Sequence, residues 1–343
     1  MTPRSPFTVV LALLLAFGSV RCTPAQAVPA GSRQQASIDG LSRANAAVVG
    51  VEVIAVEGSR SAETIGRERS GSGVVIGPDN LVLTIGYLLL EAETIQVTTQ
   101  DNRTLPARLV AYDLATGFGL VRPLIPLRGV APVPLGSVAD LRPGDPLMAA
   151  TGGEDAAIAM TQVVAKRPFS GSWEYFIDAA LFTSPPIDNH SGAPVFNQRG
   201  ELLGIGSLLV ADASGEGRPL PGNMFVPVDL LKPILAELQR SGISAPSRRP
   251  WLGLNSRETE GHVQVTRVSR DGPAAAGGIR AGDVVLAVDG TRVASLEEFY
   301  KKVWARPSPE AQVTLTVLQG ADIRQITLKG VDRMSTMLRP SGI

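Results

Sequence analysis

A serine hydroxyl attacks a carbonyl only when a neighbouring base takes its proton and a third group holds that base in place. Ser191 is the candidate for such chemistry. It stands in the run Pro186-Ile187-Asp188-Asn189-His190-Ser191-Gly192-Ala193-Pro194-Val195, whose turn-forming residues suit a tight loop. The chain of 343 residues has only two histidines, His190 and His262. His190 adjoins Ser191, and adjacent side chains on a tight loop diverge. His262 lies beyond a linker, in a separate domain. Lys166 is the sole lysine between Ala47 and Ser191, and its neighbours Arg167 and Pro168 suggest a solvated loop. Asp113 reads as a surface carboxylate at a strand end. These residues describe either a nucleophile without a base or a Ser-Gly turn kept for its shape.

Composition narrows the class. Acidic and basic residues number 32 each, so nothing favours nucleic acid or an anionic membrane surface. Hydrophobic residues make up 44% of the chain, which fits folded material. No Cys/His cluster has metal-ligand spacing, so neither a metal nor another cofactor is expected. Residues 1–27 read as a signal peptide. Arg4 precedes an apolar run over 7–20, and Ala25-Gln26-Ala27 has the small-x-small form of a cleavage site. Cleavage after Ala27 would leave no thiol, because Cys22 is the only cysteine. A lipid on Cys22 is the alternative, which Arg21 before it fits poorly. Either way the protein is expected outside the cytoplasm, in a periplasm or a similar compartment.

The elements that must position Ser191 are short strands. Residues 28–44 are polar and small and are expected to be flexible. From there to 242, short β-branched or alternating segments recur at 48–56, 71–76, 81–84, 94–99, 107–112, 119–121, 146–150, 161–164 and 202–209. Turn residues separate them, as in an all-β barrel or sandwich. Residues 228–240 carry apolar side chains at helical spacing, with Asp229 as cap and Gly242 beyond the end. A linker at 243–250 leads to a second domain over 251–334, with strands at 262–268, 284–288, 312–318 and 323–328 and a helix at 296–305.

The runs together resemble the HtrA/DegP family of trypsin-like serine proteases. Gly71-Ser72-Gly73-Val74-Val75-Ile76 resembles the strand before the family's histidine. Leu83-Thr84-Ile85-Gly86-Tyr87-Leu88-Leu89 resembles its LTNNHVV motif and puts Tyr87 at the histidine position. Ala115-Thr116-Gly117-Phe118-Gly119-Leu120-Val121 resembles xTDLAVL and puts Gly117 at the aspartate position. Asn189-His190-Ser191-Gly192-Ala193-Pro194 resembles GNSGGP, with Ser191 as nucleophile and Asn189 in place of an oxyanion-hole glycine. Trp251-Leu252-Gly253-Leu254 resembles the carboxylate-binding loop of the family's PDZ domains. Gly278-Ile279-Arg280-Ala281-Gly282-Asp283-Val284-Val285 and Val288-Asp289-Gly290 resemble its AGIKxGDVI and VNG core.

The resemblance implies a mainly β fold, a chymotrypsin-like double β-barrel followed by a C-terminal PDZ domain. It also implies a homotrimer. The departures imply a pseudoprotease. A tyrosine, with a pKa of about 10, is no base at neutral pH. Loss of the base costs about 10⁶-fold in turnover. The expected partners are peptide C-termini or unfolded protein segments at Trp251, Leu252, Gly253 and Leu254, and active relatives to which substrates are presented. The competing expectation is a working endopeptidase that uses Ser191 with an unrecognised base.

Overall fold

Short runs of β-branched and small apolar residues, broken by glycine and proline, leave strands as the main way to bury side chains. The computed structural model describes residues 30–339. The expected signal peptide and Cys22 lie outside the described residues.

The segment expected to be flexible is largely helical: α1 spans Ala30–Ala46. Its small residues resemble a loop in isolation, but tertiary contacts hold it. Ala44 is buried and Leu41 packs on the core. Gly40 lets the helix approach the second barrel; a Cβ there would lie 2.7 Å from the Arg199 carbonyl oxygen.

Strands β1 (Val48–Ala55), β2 (Glu68–Val75), β3 (Val82–Ile85), β4 (Ala92–Thr98), β5 (Thr104–Tyr112) and β6 (Phe118–Pro123) close a barrel in the order β1-β2-β3-β6-β5-β4. The short helix α2 (Ala62–Ile65) bridges β1 and β2. Strands β7 (Pro146–Ala150), β8 (Ile158–Gly171), β9 (Tyr175–Ser184), β10 (Pro194–Phe196), β11 (Leu202–Val210) and β12 (Gly222–Pro227) close a second barrel, in the order β10-β11-β12-β9-β8-β7. Closure leaves neither sheet with a free edge. One continuous core joins the barrels, from Val51 and Leu83 in the first to Phe182 and Met224 in the second.

The expected helix at 228–240 is divided. A 3₁₀ turn covers Val228–Leu230, and α3 covers only Leu235–Ser241. Pro233 lacks an N–H and cannot carry a continuous helix across this point. Asp229 does not cap α3; it accepts from Val138 N at 2.8 Å and pairs with Lys232. Gly242 ends α3 at φ +75°.

The linker is held down rather than free. Ser244 and Ser247 are buried beside the first barrel. The C-terminal sheet follows, with β13 (Leu254–Thr259), β14 (His262–Val268), β15 (Val284–Val288), β16 (Thr291–Arg292), β17 (Gln312–Gln319) and β18 (Asp322–Lys329) in the order β13-β14-β15-β17-β18, β16 pairing with β15. Helices α4 (Pro273–Ala276) and α5 (Leu296–Trp304) complete this domain. Its core takes in Phe176 from the second barrel, so the two units share buried surface.

Candidate active site and peptide-binding groove

Ser191 lies on the loop between β9 and β10, wedged between the barrels. Its carbonyl oxygen accepts from Ser72 N at 2.8 Å. Gly192, at φ +74°, donates to Gly206 O. A Cβ at Gly192 would lie 2.0 Å from Ser72 O, so only glycine fits. Close packing against Ser72 O and Thr84 Oγ1 therefore fixes the Ser-Gly turn.

Tyr87 comes from the 3₁₀ turn Gly86–Leu89 that follows β3. Its hydroxyl lies 2.8 Å from Ser191 Oγ and 3.1 Å from the Ser207 carbonyl oxygen. The sequence-predicted base and nucleophile positions are thus brought together, but the group at the base position is a donor. Burial pushes the Tyr87 phenol above its ordinary value, and its bond to Ser191 offsets this only in part. At neutral pH it holds its proton and cannot take the one on Ser191.

Gly117 does reach the neighbourhood of Tyr87, at φ +82°, a backbone region that resists side chains. Its carbonyl oxygen accepts from Gly86 N at 2.6 Å. A Cβ on Gly117 would lie 3.1 Å from the Tyr175 hydroxyl, which donates to Thr116 O at 2.5 Å. Tyr175 therefore crowds the space beside the aspartate position. A cavity of about 40 Å³ remains, lined by Tyr87, Gly117, Trp173, Glu174, Tyr175 and Ser207 among others.

The other candidates lie elsewhere. Asp113 is not the surface carboxylate expected at a strand end; it is fully buried. It accepts from Thr116 N at 3.0 Å, Thr116 Oγ1 at 2.6 Å, Ser247 Oγ at 2.5 Å and Ser244 Oγ. The run around it reads as a strand end, but the partners that bury it come from far along the chain. His190 Nδ1 lies 2.9 Å from Asp188 O in its own loop. His262 opens β14. Lys166 belongs to β8, not to a loop, and its Nζ donates to Val138 O and Ala139 O at 2.8 Å. Asn189 is exposed and keeps out of the left-handed region. An open cleft of about 210 Å³ beside Ser191 is rimmed by Glu52, Glu154, Asp155 and Asp188.

In the C-terminal domain, Gly253 turns at φ +80° and the N–H groups around it converge. Leu252, Gly253 and Leu254 donate to one carboxylate, at 3.1, 2.7 and 2.8 Å. That carboxylate belongs to Glu174, on the turn between β8 and β9. Trp251 is not a donor to it; its N–H pairs with Val331 O. Burial pushes the Glu174 carboxyl up, against the three N–H groups and Arg333, which favour its charge. Sequence reasoning missed Glu174, since a glutamate in a hairpin turn carries no signal of a distant partner.

Comparison with known proteins supports the domains and the fold. The family model for a trypsin-like peptidase domain matches residues 71–205, and the model for a PDZ domain matches 250–329. The chain is 29% identical over 279 residues to a probable periplasmic serine endoprotease DegP-like of Halomonas elongata, covering 76% of this chain and 56% of that one. It is 27% identical over 267 residues to the serine endoprotease DegS of Haemophilus influenzae, covering 75% of each. The chain belongs to the HtrA family.

Among solved structures, the fold matches HtrA-type protease AlgW with tripeptide at a TM-score of 0.53 and 22% identity, over 86% of this chain and 96% of that one. It matches the serine endoprotease from Yersinia pestis at 0.52 and 24%, over 89% and 99%. This HtrA-family chain spans about half the length of the DegP-like relatives it matches.

Two outcomes follow from the site. In the double variant Tyr87→His, Gly117→Asp, the left-handed backbone and Tyr175 oppose the new carboxylate. Thermal melting should show lower stability, by about 1–2 kcal/mol from the backbone alone, and casein digestion should stay weak at best. Full protease activity would show that the loop accommodates a triad. Burial also raises all four phenols, Tyr87, Tyr112, Tyr175 and Tyr300. In the unfolded chain they ionise near about 10. Above that pH the unfolded chain binds fewer protons, so stability is full below about pH 10 and falls as pH rises beyond it. Phenolate absorbance should grow only with alkaline unfolding; a reversible step near about pH 10 in folded protein would contradict this.

Proposed function

We propose that this HtrA-family protein is a catalytically silent member that binds peptide C-termini or unfolded segments through its PDZ domain. The observation that carries the reading is the Tyr87 hydroxyl, 2.8 Å from Ser191 Oγ, at the position of the base. A phenol held neutral by burial gives the serine a hydrogen-bond donor where catalysis needs an acceptor. Gly117 supplies no carboxylate, and Asp113 is fully engaged with Ser244, Ser247 and Thr116. Removal of the base leaves a rate about 10⁶-fold down, too slow for ordinary proteolysis.

Binding needs no triad. The N–H groups of Leu252, Gly253 and Leu254 already converge on a carboxylate, which is the chemistry that recognises a peptide terminus. Through that groove the protein holds chains and presents them to active relatives in an extracytoplasmic compartment. The relatives named as periplasmic and the charge, apolar run and Ala25-Gln26-Ala27 of the N-terminus support that location. Among the described residues, no helix is long and apolar enough to cross a membrane.

Purified protein should not label with a fluorophosphonate and should not digest unfolded casein. Stoichiometric labelling that disappears in Ser191→Ala would sink the reading. N-terminal sequencing of the exported protein should begin at Val28; a lipid on Cys22 would replace free export with membrane anchoring.

A further inference from the structure

The turn between β8 and β9 fills the PDZ groove in the way an extended peptide would. The Glu174 carboxylate sits on the N–H groups of Leu252, Gly253 and Leu254. Two residues earlier, Ser172 O accepts from Ser256 N on β13 at 2.8 Å, a strand-addition contact. Next to it, Gly171 O accepts from the Tyr300 hydroxyl of α5 at 2.7 Å. Phe176 is buried in the same apolar cluster as Leu252, Leu254 and Phe299. Strand edge, carboxylate loop and apolar core of the domain are thus engaged together by one turn. Glu174 adopts φ +57°, a conformation its side chain disfavours, and the groove holds it there.

We propose that residues 171–176 are a resident ligand of the PDZ groove, with Glu174 standing in for a peptide's C-terminal carboxylate. An external peptide with a free C-terminus then binds by displacing this turn. The proposal rests on the reading of the groove as a peptide site. It also joins that site to Ser191. Trp173 stacks on Tyr175, with ring centroids 5.7 Å apart, and both line the cavity that contains Tyr87 and Gly117. A peptide that lifts Glu174 out of the loop therefore disturbs the wall of that cavity.

The test uses the full chain as wild type, Glu174→Gly and Glu174→Gln. Glycine removes the carboxylate and suits the left-handed backbone, so the hairpin keeps its shape. Glutamine keeps the shape and removes the charge. The probe is a fluorescent decapeptide ending in Gly-Ser-Trp-Phe with a free carboxylate, alongside its C-terminal amide. The carboxylate peptide should bind Glu174→Gly about tenfold or more tighter than wild type, as when the groove is free in a tenth or less of the molecules. The amide should show no such gain. Without peptide, the Gly253 and Leu254 amides should exchange hydrogen faster in both variants. Equal affinity in wild type and Glu174→Gly, an equal gain for the amide, or unchanged amide exchange would each overturn the proposal. Faster exchange with no peptide bound by any variant would uphold the resident ligand and defeat the peptide-capture reading instead.

Discussion

A carboxylate taken out of water must be met by donors, or it costs several kcal/mol. Glu174 is 5% exposed and is met by three backbone N–H groups from another domain. Hydrogen bonds to a charged group contribute about 1.5–3 kcal/mol each. The loop has the converse need, because three N–H groups aimed at one point repel one another unless an anion sits there. This mutual requirement fixes the PDZ domain against the second barrel. Other contacts then fall into place. Phe176 enters the PDZ core, the Arg249 guanidinium lies 3.4 Å over the Trp304 ring, and Lys301 pairs with Asp178. On the linker, Ser244 and Ser247 close on the buried Asp113, so the chain between the domains is tied to the first barrel as well.

The same economy of polar groups governs the site between the barrels. In a working triad the serine hydroxyl is left with a basic partner that takes its proton. Here the partner is a phenol, and nearby Gly117 is a left-handed glycine faced by Tyr175. The groups that would act on an outside molecule meet partners from the protein itself. Both arrangements share residues 173–175, which lie between the PDZ loop and the cavity beside Tyr87.

Much of this was legible in the residues. The runs at 71–76, 83–89, 115–121 and 189–194 pointed to one site for Tyr87, Gly117 and Ser191 only through their resemblance to the family's motifs, because local sequence does not show which distant segments meet. Strand β14 at His262–Val268 and helix α5 were equally plain, one from its β-branched residues and the other from its apolar face. Strand β13 was not, since Leu254-Asn255-Ser256-Arg257-Glu258-Thr259 is polar; it is a strand because β14 pairs with it. Strand β9 was obscured by Asp178-Ala179-Ala180, which interrupt its apolar pattern. The segment of helix α1 read as flexible because its few anchors, Gly40, Leu41 and Ala44, gain meaning only against the barrels. Glu174 and Asp113 share that limit. A buried carboxylate is defined by its partners, and theirs lie far away in the chain.

The most direct test of the account is the pH dependence of Ser191 acylation by a small organophosphate that needs no binding subsite. A serine activated by an imidazole gives a rate that rises through the histidine pKa, about 6.5, and then levels. With Tyr87 as neighbour, the rate should stay low through neutrality and climb in proportion to hydroxide, without a plateau, until the protein unfolds in alkali. A plateau near neutral pH, lost in Ser191→Ala, would mean that a base reaches this serine after all.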